Sequence, residues 1–241
     1  NTAKRWLGNL LLFTVCLPFF RADHLFGHHE QVGTDRDAGS ARINQSFYNF
    51  LCRVFLQRIR RSYSSHSDLP DYCKARVRRD NLRFTGLLAV FGAALFLLNP
   101  AVLALWLGQS VLVYLLYEVV NFGQHYGLRR AAGEAVGLEH AWNSYFKYPN
   151  YTAWCLWIHS PHHAEPPGRE PHLRAGPRMP FPPFAMLFLA LIPPLWFRVM
   201  NPLVRQLPKI RRRPEIPTGI PQPSVAGIPL TQTYEAYDPS I

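Results

Sequence analysis

Apolar runs separated by polar, arginine-rich segments form the main pattern of the chain from its beginning. The run at residues 6–20 is shorter than the ~20 residues that cross a bilayer, and it follows Asn1 rather than a methionine. We interpret it as the end of a longer transmembrane helix and expect an upstream portion of the protein to precede it. A secretory signal peptide is the rival interpretation, but no small-residue cleavage site follows the run.

Two further apolar runs, at residues 84–98 and 101–122, flank an Asn-Pro dipeptide. Asn-Pro is a turn signal, so the two runs predict a helical hairpin embedded in the bilayer. Because a hairpin returns to the side that it left, residues 21–83 and 123–180 should face the same compartment.

Paired prolines interrupt the last apolar run, at residues 181–197. Prolines remove backbone donors and break helices, so this run fits an interfacial or re-entrant segment as well as a full span. The chain then becomes proline-rich with few large apolar residues, which is typical of segments without a packed fold. We therefore predict a membrane domain over residues 1–203 and a disordered tail over 204–241.

Basic residues outnumber acidic ones 26 to 15, which gives a formal charge of +11. They cluster beside the apolar runs, as in the segments 53–61, 74–83 and 129–130. This distribution follows the positive-inside rule and predicts that these flanks lie in the cytoplasm. It disfavours a nucleic-acid-binding protein, for which the chain also lacks an interleaved aromatic and basic module.

The cysteines are scattered, and no pair has the C-x-x-C spacing of a zinc site or a redox motif. We expect free, structural thiols without a disulfide framework. The four positions are Cys16, Cys52, Cys73 and Cys155.

Two histidine clusters carry the strongest chemical signal. In the first, at residues 24–29, α-helical spacing places His24 and His28 on one face and turns His29 ~100° away, toward a second metal. In the second, at residues 159–163, the i, i+3 and i, i+4 pairs again share a face. Neutral imidazole binds iron, zinc, copper and nickel, and six clustered histidines exceed the need of one metal. The clusters therefore predict a two-metal site.

Glu118 is the only carboxylate in the run at 101–122, and His125 lies two helical turns beyond it. An acid at membrane depth is costly, so it faces a partner or a site. Two roles stay open for Glu118: a metal ligand or an acceptor that orients a metal-bound imidazole, and an ion pair with a neighbouring helix. His66 and His172 have no histidine nearby, and we expect ordinary surface or core residues there.

The strings around these histidines follow a recognisable order. HLFGHHEQVGTDRDAGSAR (24–42) resembles the H-x-x-G-H-H segment of the integral-membrane alkane 1-monooxygenases, with its downstream threonine, aspartate and arginine. NFGQHYGL (121–128) is similar to their N-Y-x-E-H-Y-G-L segment, and HAWNS and HSPHHAEP are similar to H-S-W-N-S and H-S-D-H-H. IPPLWFRVMNP (192–202) resembles their C-terminal stretch. The agreement in order and spacing covers about residues 15–203 and is more specific than any one motif.

The resemblance implies an all-α, polytopic membrane enzyme that holds two non-haem irons in a histidine-rich site on the cytoplasmic side of a bacterial inner membrane. It implies O₂-dependent hydroxylation of the terminal methyl group of an alkane, with electrons from a rubredoxin-type donor and its reductase. Asp23 and His140 would hold the ligands in place, and His140 could also bind weakly. The implied iron ligands are His24, His28, His29, His125, His159, His162 and His163.

Three positions depart from the family pattern: Gln124 replaces an acid, Phe122 a tyrosine and Pro161 an aspartate. The loss of two acids removes potential acceptors for metal-bound imidazoles. Pro161 fits the first position of a helix with Ser160 as its N-cap, which would place His162 and His163 in the first turn. The upstream histidine pair of the family has no counterpart here, in keeping with a chain that starts at Asn1.

Two alternative functions remain open at this point. A fatty-acyl or lipid desaturase of the same histidine-box superfamily would use the same metals with a different placement of the alkyl chain. A membrane metal transporter or sensor would instead need polar residues along several spans, where only Gln109 and Glu118 are conspicuous.

Overall fold

The computed structural model describes residues 2–64, 71–131, 133–164 and 176–210. Helices are the only regular elements in these ranges, so the predicted all-α class is confirmed. His66 and His172 lie outside them. The α-helices are α1 (Thr2–Thr14), α2 (Phe20–Ala22), α3 (His29–Gln31), α4 (Phe47–Tyr63), α5 (Asp71–Leu98), α6 (Pro100–His125), α7 (Lys147–Thr152), α8 (Ser160–Ala164), α9 (Pro183–Ala190) and α10 (Pro193–Ile210), with a π-helix at Asp23–His28 and a 3₁₀ turn at Leu138–His140.

The predicted hairpin is formed by α5 and α6, which are long and apolar enough to cross a membrane. Asn99 ends α5 and caps α6, where its Oδ1 accepts a hydrogen bond from the N–H of Ala101 at 2.9 Å, and Pro100 occupies the first turn. Only 11% and 17% of the apolar stretches of α5 and α6 are buried, unlike the core helix of a soluble protein. The helix α5 begins at Asp71, so it extends well before the apolar run that predicted it.

The apolar run at 6–20 is not one helix, contrary to the sequence-based interpretation of a span that continues to residue 20. The helix α1 ends at Thr14. In a continued helix the ring of Pro18 would clash with the carbonyl of Thr14, four residues earlier. The carbonyl of Thr14 instead accepts hydrogen bonds from Trp106 Nε1 at 2.9 Å and Gln109 Nε2 at 2.8 Å on α6. These bonds give Gln109 a structural partner.

The proline-containing run at 181–197 forms parts of two helices rather than one span. The helix α9 is eight residues long, about 12 Å, and therefore too short to cross a bilayer. Pro193 starts α10, which continues to Ile210. The predicted boundary between residues 203 and 204 lies inside α10, and residues 211–241 lie outside the described ranges.

The main apolar core surrounds the last turn of α6. Phe122 packs against Trp196 of α10 at a centroid distance of 5.0 Å and against Phe50 of α4 at 5.4 Å, and all three side chains are fully buried. The hydroxyl of Tyr126 donates to Asn201 at 2.7 Å and accepts from the N–H of Asn44 at 2.9 Å. This packing fixes the end of α6, where His125 lies, and it buries the aromatic ring that replaces the family's tyrosine.

Candidate metal centre

The structure brings seven histidines together beside the end of α6, in two adjoining groups. Within each group, one nitrogen of every histidine lies within 4.8 Å of those of the others. The four-histidine group is His28, His125, His159 and His163, and the three-histidine group is His24, His29 and His162. These are the seven positions predicted from the sequence. Each cluster along the chain contributes to both groups.

A π-helix determines how the first cluster divides. Residues Asp23–His28 form this wider helix, and His24 Nε2 lies 3.1 Å from His29 Nε2, five residues along the chain. The expectation that His24 and His28 share one group is therefore wrong, since it assumed α-helical spacing. His29 does lie in a different group from His28, as expected.

The second cluster is divided by the short helix α8. His159 and His163 belong to the four-histidine group, with their Nε2 atoms 3.0 Å apart, while His162 points to the other group, 3.5 Å from His24 Nε2. The i, i+4 pair therefore stays together and the i, i+3 partner separates from it.

Asn143 holds the start of α8 in place. Its Oδ1 accepts hydrogen bonds from the N–H groups of His159 and Ser160 at 2.8 and 2.9 Å. The predicted N-cap role of Ser160 is wrong: α8 begins at Ser160, whose hydroxyl donates to the carbonyl of Ala141 at 2.7 Å. Pro161 lies in the first turn, where its missing N–H leaves no helical bond unmade.

The chemistry of the donor set fits a bound transition metal. His125 Nε2 and His163 Nε2 each lie 3.0–3.1 Å from His159 Nε2, so three imidazoles converge on one point. Nitrogen ligands about 2.0–2.1 Å from a metal have comparable separations. The Nδ1 atoms of His24 and His163 are buried without a hydrogen-bond partner within the described residues. Buried polar nitrogens without a partner are costly, and the close approach of three Nε2 atoms is one that a bound metal would stabilise.

Residues 1–191 match the fatty acid desaturase family. The chain belongs to this family. Its relationship to the alkane 1-monooxygenases, predicted from the motifs, is confirmed by curated relatives.

Alkane 1-monooxygenase 2 of Alcanivorax borkumensis is 36% identical over 213 residues, which cover 83% of this chain and 56% of the relative. Alkane 1-monooxygenase 2 of Pseudomonas aeruginosa is 36% identical over 222 residues, with 82% and 56% covered. The xylene/toluene monooxygenase hydroxylase component of Pseudomonas putida is 26% identical over 190 residues, with 73% and 50% covered. The chain spans about half the length of these relatives.

In this desaturase-family chain, two of the candidate ligands, His28 and His125, are oriented by an acceptor on Nδ1. One acceptor is a side chain and the other is a backbone carbonyl. His28 Nδ1 lies 2.9 Å from Asp37 Oδ2, and His125 Nδ1 lies 3.2 Å from the carbonyl oxygen of His140. A hydrogen bond from Nδ1 places the proton there and leaves the Nε2 lone pair free for a metal. The imidazole of His140 joins neither group; its Nδ1 accepts from the N–H of Gly137 at 2.8 Å. Its supporting role is exerted through its main chain.

Asp37 was not among the residues singled out from the sequence. It lies in the loop after α3, where the N–H of Gly39 and the hydroxyl of Ser40 donate to it at 2.9 and 2.7 Å. Burial would raise the pKa of this carboxyl, but His28 and these hydrogen bonds hold it below its usual range. Asp37 is therefore ionised, and its carboxylate contacts Nδ1 of His28. Its only sequence signal was the aspartate that the family has downstream of the H-x-x-G-H-H segment.

Glu118 and Asp23 belong to a buried ion network rather than to the histidine groups. Glu118 Oε1 lies 2.9 Å from Arg58 Nε, and Asp23 pairs with Arg58 and, at 2.9 Å, with Arg61. Of the two roles left open for Glu118, the ion pair with a neighbouring helix is the one observed among the described residues, and Glu118 belongs to neither histidine group. The network connects α4, α6 and the π-helix next to His24.

Five of the clustered histidines have a lowered pKa, which favours the neutral imidazole. Burial, followed by the neighbouring imidazoles, holds the pKa of His24, His159 and His163 well below its usual value. The same causes lower the pKa of His29 to about 3, and burial also lowers the pKa of His162. A neutral imidazole has the free lone pair that a metal requires, so these five side chains are able to bind a metal at neutral pH.

Proposed function

We propose that this chain is the metal-binding part of a membrane monooxygenase that hydroxylates the terminal methyl group of alkanes. The observation that carries this proposal is the convergence of seven histidines in two groups, within a chain 36% identical to alkane 1-monooxygenases. The match of residues 1–191 to the desaturase family supports a membrane domain over residues 1–203. The chain's own share of the reaction is to hold the metals, orient the ligands and guide the substrate.

In this proposal each histidine group holds one non-haem iron. His28, His125, His159 and His163 would bind one iron, and His24, His29 and His162 the other. The iron pair would supply, with O₂, the oxidising power that side chains lack for an unactivated C–H bond. Asp37 and the carbonyl of His140 keep the Nε2 lone pairs of His28 and His125 directed at the metal.

The hairpin places this site where an apolar substrate would arrive. The helix α6 runs from its exposed apolar part, with Leu105 and Leu112, to His125 within the site. An alkyl chain could therefore approach along the apolar helices without crossing water. The arginine bias of the flanks favours the cytoplasmic side of a bacterial inner membrane for the site. A rubredoxin-type protein and its reductase would supply the electrons there.

A desaturase is the second candidate, because the matching family is that of fatty acid desaturases. It would use the same ligands and remove hydrogen from an acyl chain instead of adding oxygen to an alkane. The purified protein in detergent, given reductant and O₂, should convert a labelled alkane to the 1-alcohol. An unsaturated acyl product with no alcohol would replace the hydroxylase proposal with the desaturase. Reversible metal binding without O₂ consumption would instead indicate a transporter or sensor.

Metal content tests the ligand assignment separately. The purified protein should contain two irons, and the double variant His162→Ala/His163→Ala, which removes one imidazole from each group, should lose both. The matched control is His140→Gln, since this side chain belongs to neither group and the main-chain carbonyl of residue 140 is kept. Iron at the wild-type level in the double variant would refute the assignment.

A further inference from the structure

The two histidine groups are unequal in burial. Within the four-histidine group, His28, His125 and His159 are 1%, 0% and 6% exposed. Within the three-histidine group, His24 and His29 are half-buried and His162 is exposed. Buried ligands are held in place by the fold before a metal arrives. An exposed imidazole is ordered only when the metal binds, and this loss of side-chain entropy lowers the affinity.

The groups are also unequal in the partners behind their ligands. His28 and His125 have an acceptor on Nδ1, namely Asp37 and the carbonyl of His140. Asp37 is itself fixed by three hydrogen bonds, including that of His28. For the three-histidine group, no such acceptor on Nδ1 occurs in the part of the chain that is described. The Nδ1 of His163 also lacks a partner there, so the difference rests on His28 and His125.

The short distance between the groups is a third reason for unequal binding, because a metal bound in one group affects binding in the other. The rings of His29 and His163, one from each group, are 4.6 Å apart between centroids. A divalent ion held first by the four-histidine group would repel a second cation at such short range. The carboxylate of Asp37 lies behind His28 and so offsets the charge at the four-histidine group more directly than at the other.

We propose that the two groups bind metal in a fixed order, the four-histidine group first and tightly, the three-histidine group second and weakly. This inference rests on the proposed two-metal function. Each outer partner of a metal-bound imidazole is worth about 10–100-fold in metal affinity, so two partners favour the four-histidine group by about 10²–10⁴-fold. A protein with one metal is therefore the main species when metal is limiting.

Titration of the metal-free protein with Co²⁺ tests the order. Calorimetry and visible absorption, under argon in detergent, should show two steps, the first at least about 100-fold tighter. His162→Ala should remove the second step and leave the first unchanged. Asp37→Asn should weaken the first step about 10–100-fold. The control Asp35→Asn changes an exposed aspartate that pairs with Arg42 and Arg129, and it should alter neither step.

The outcomes separate this inference from the function on which it rests. Two Co²⁺ ions bound with affinities within about threefold of each other, or loss of the tighter step in His162→Ala, would overturn the order and leave the two-metal site intact. No binding of Co²⁺ at all would refute both. Since Asp37 is buried, near-ultraviolet circular dichroism checks that its variant is folded. His162 is exposed, so its variant tests the order without that concern.

Discussion

Replacement of Arg58 by methionine should strongly destabilise the protein. The side chains of Arg58 and Glu118 are both 0% exposed, and their ion pair joins α4 to α6. Methionine fills the space without charge and leaves the Glu118 carboxylate buried without its cation, while the amide of Asn121 still donates to it at 3.2 Å. Asp23 keeps its second partner, Arg61. Loss of one member of a buried pair costs about 3–5 kcal/mol, and the retained Asp23–Arg61 pair places the expected loss near the lower end, about 3 kcal/mol.

The assay is unfolding by sodium dodecyl sulfate in mixed micelles, followed by far-ultraviolet circular dichroism. A second change, Glu118→Gln, in the Arg58→Met background should recover most of the loss, because it removes the unpaired charge. Arg79→Met is the control: its pair with Asp80 is 3.7 Å apart and solvent-exposed, so its loss should cost less than about 1 kcal/mol. A cost below about 1 kcal/mol for Arg58→Met, or no recovery in the double variant, would show that the network does not carry this energy.

Three further predictions concern the core, the start of α8 and pH. Trp196→Ala, at a fully buried position, should lower the unfolding free energy by about 3–5 kcal/mol in the same assay. Asn143→Ala leaves the N–H groups of His159 and Ser160 unpaired and should lower iron content. The metal-free protein should keep its full stability above pH 6.5 and lose stability as pH falls toward 3. In the folded protein the pKa of His29 is about 3, so between these pH values only the unfolded chain binds a proton at His29. Melting temperatures across this range that do not fall would contradict it.

Local patterns made the hairpin and the two histidine clusters predictable, whereas His125 was added to the ligand set by the family resemblance. The apolar runs and the Asn-Pro turn between them lie next to one another in sequence, and both histidine clusters span fewer than about seven residues. Asp37 was missed because a loop carboxylate has no periodicity, and its partner His28 becomes adjacent only when the chain folds back. Arg58 was counted with the cytoplasmic charges, although it lies on the buried face of α4 together with Phe50 and Val54.

The departures from the family pattern have physical explanations in the structure. Gln124 donates through Nε2 to the carbonyl of Leu156 at 3.1 Å, a bond that an ionised acid could not make. Its side chain therefore supports the segment before α8 rather than a histidine. Pro161 occupies a first-turn position that an aspartate could also fill. In this chain Asp37 and the carbonyl of His140 are the acceptors for the Nδ1 atoms of His28 and His125.

The π-helix is the feature that local pattern could not reveal, and the pairing of the ligands depends on it. An α-helix places residues four apart on one face, which would pair His24 with His28. The π-helix has i→i+5 hydrogen bonds, and it pairs His24 with His29 instead. His28 is thereby released to meet His125, with ring centroids 4.6 Å apart, beside the carboxylate of Asp37. The π-helix thus divides the first cluster between the two histidine groups. It places His28, which is supported by Asp37, in the more buried four-histidine group.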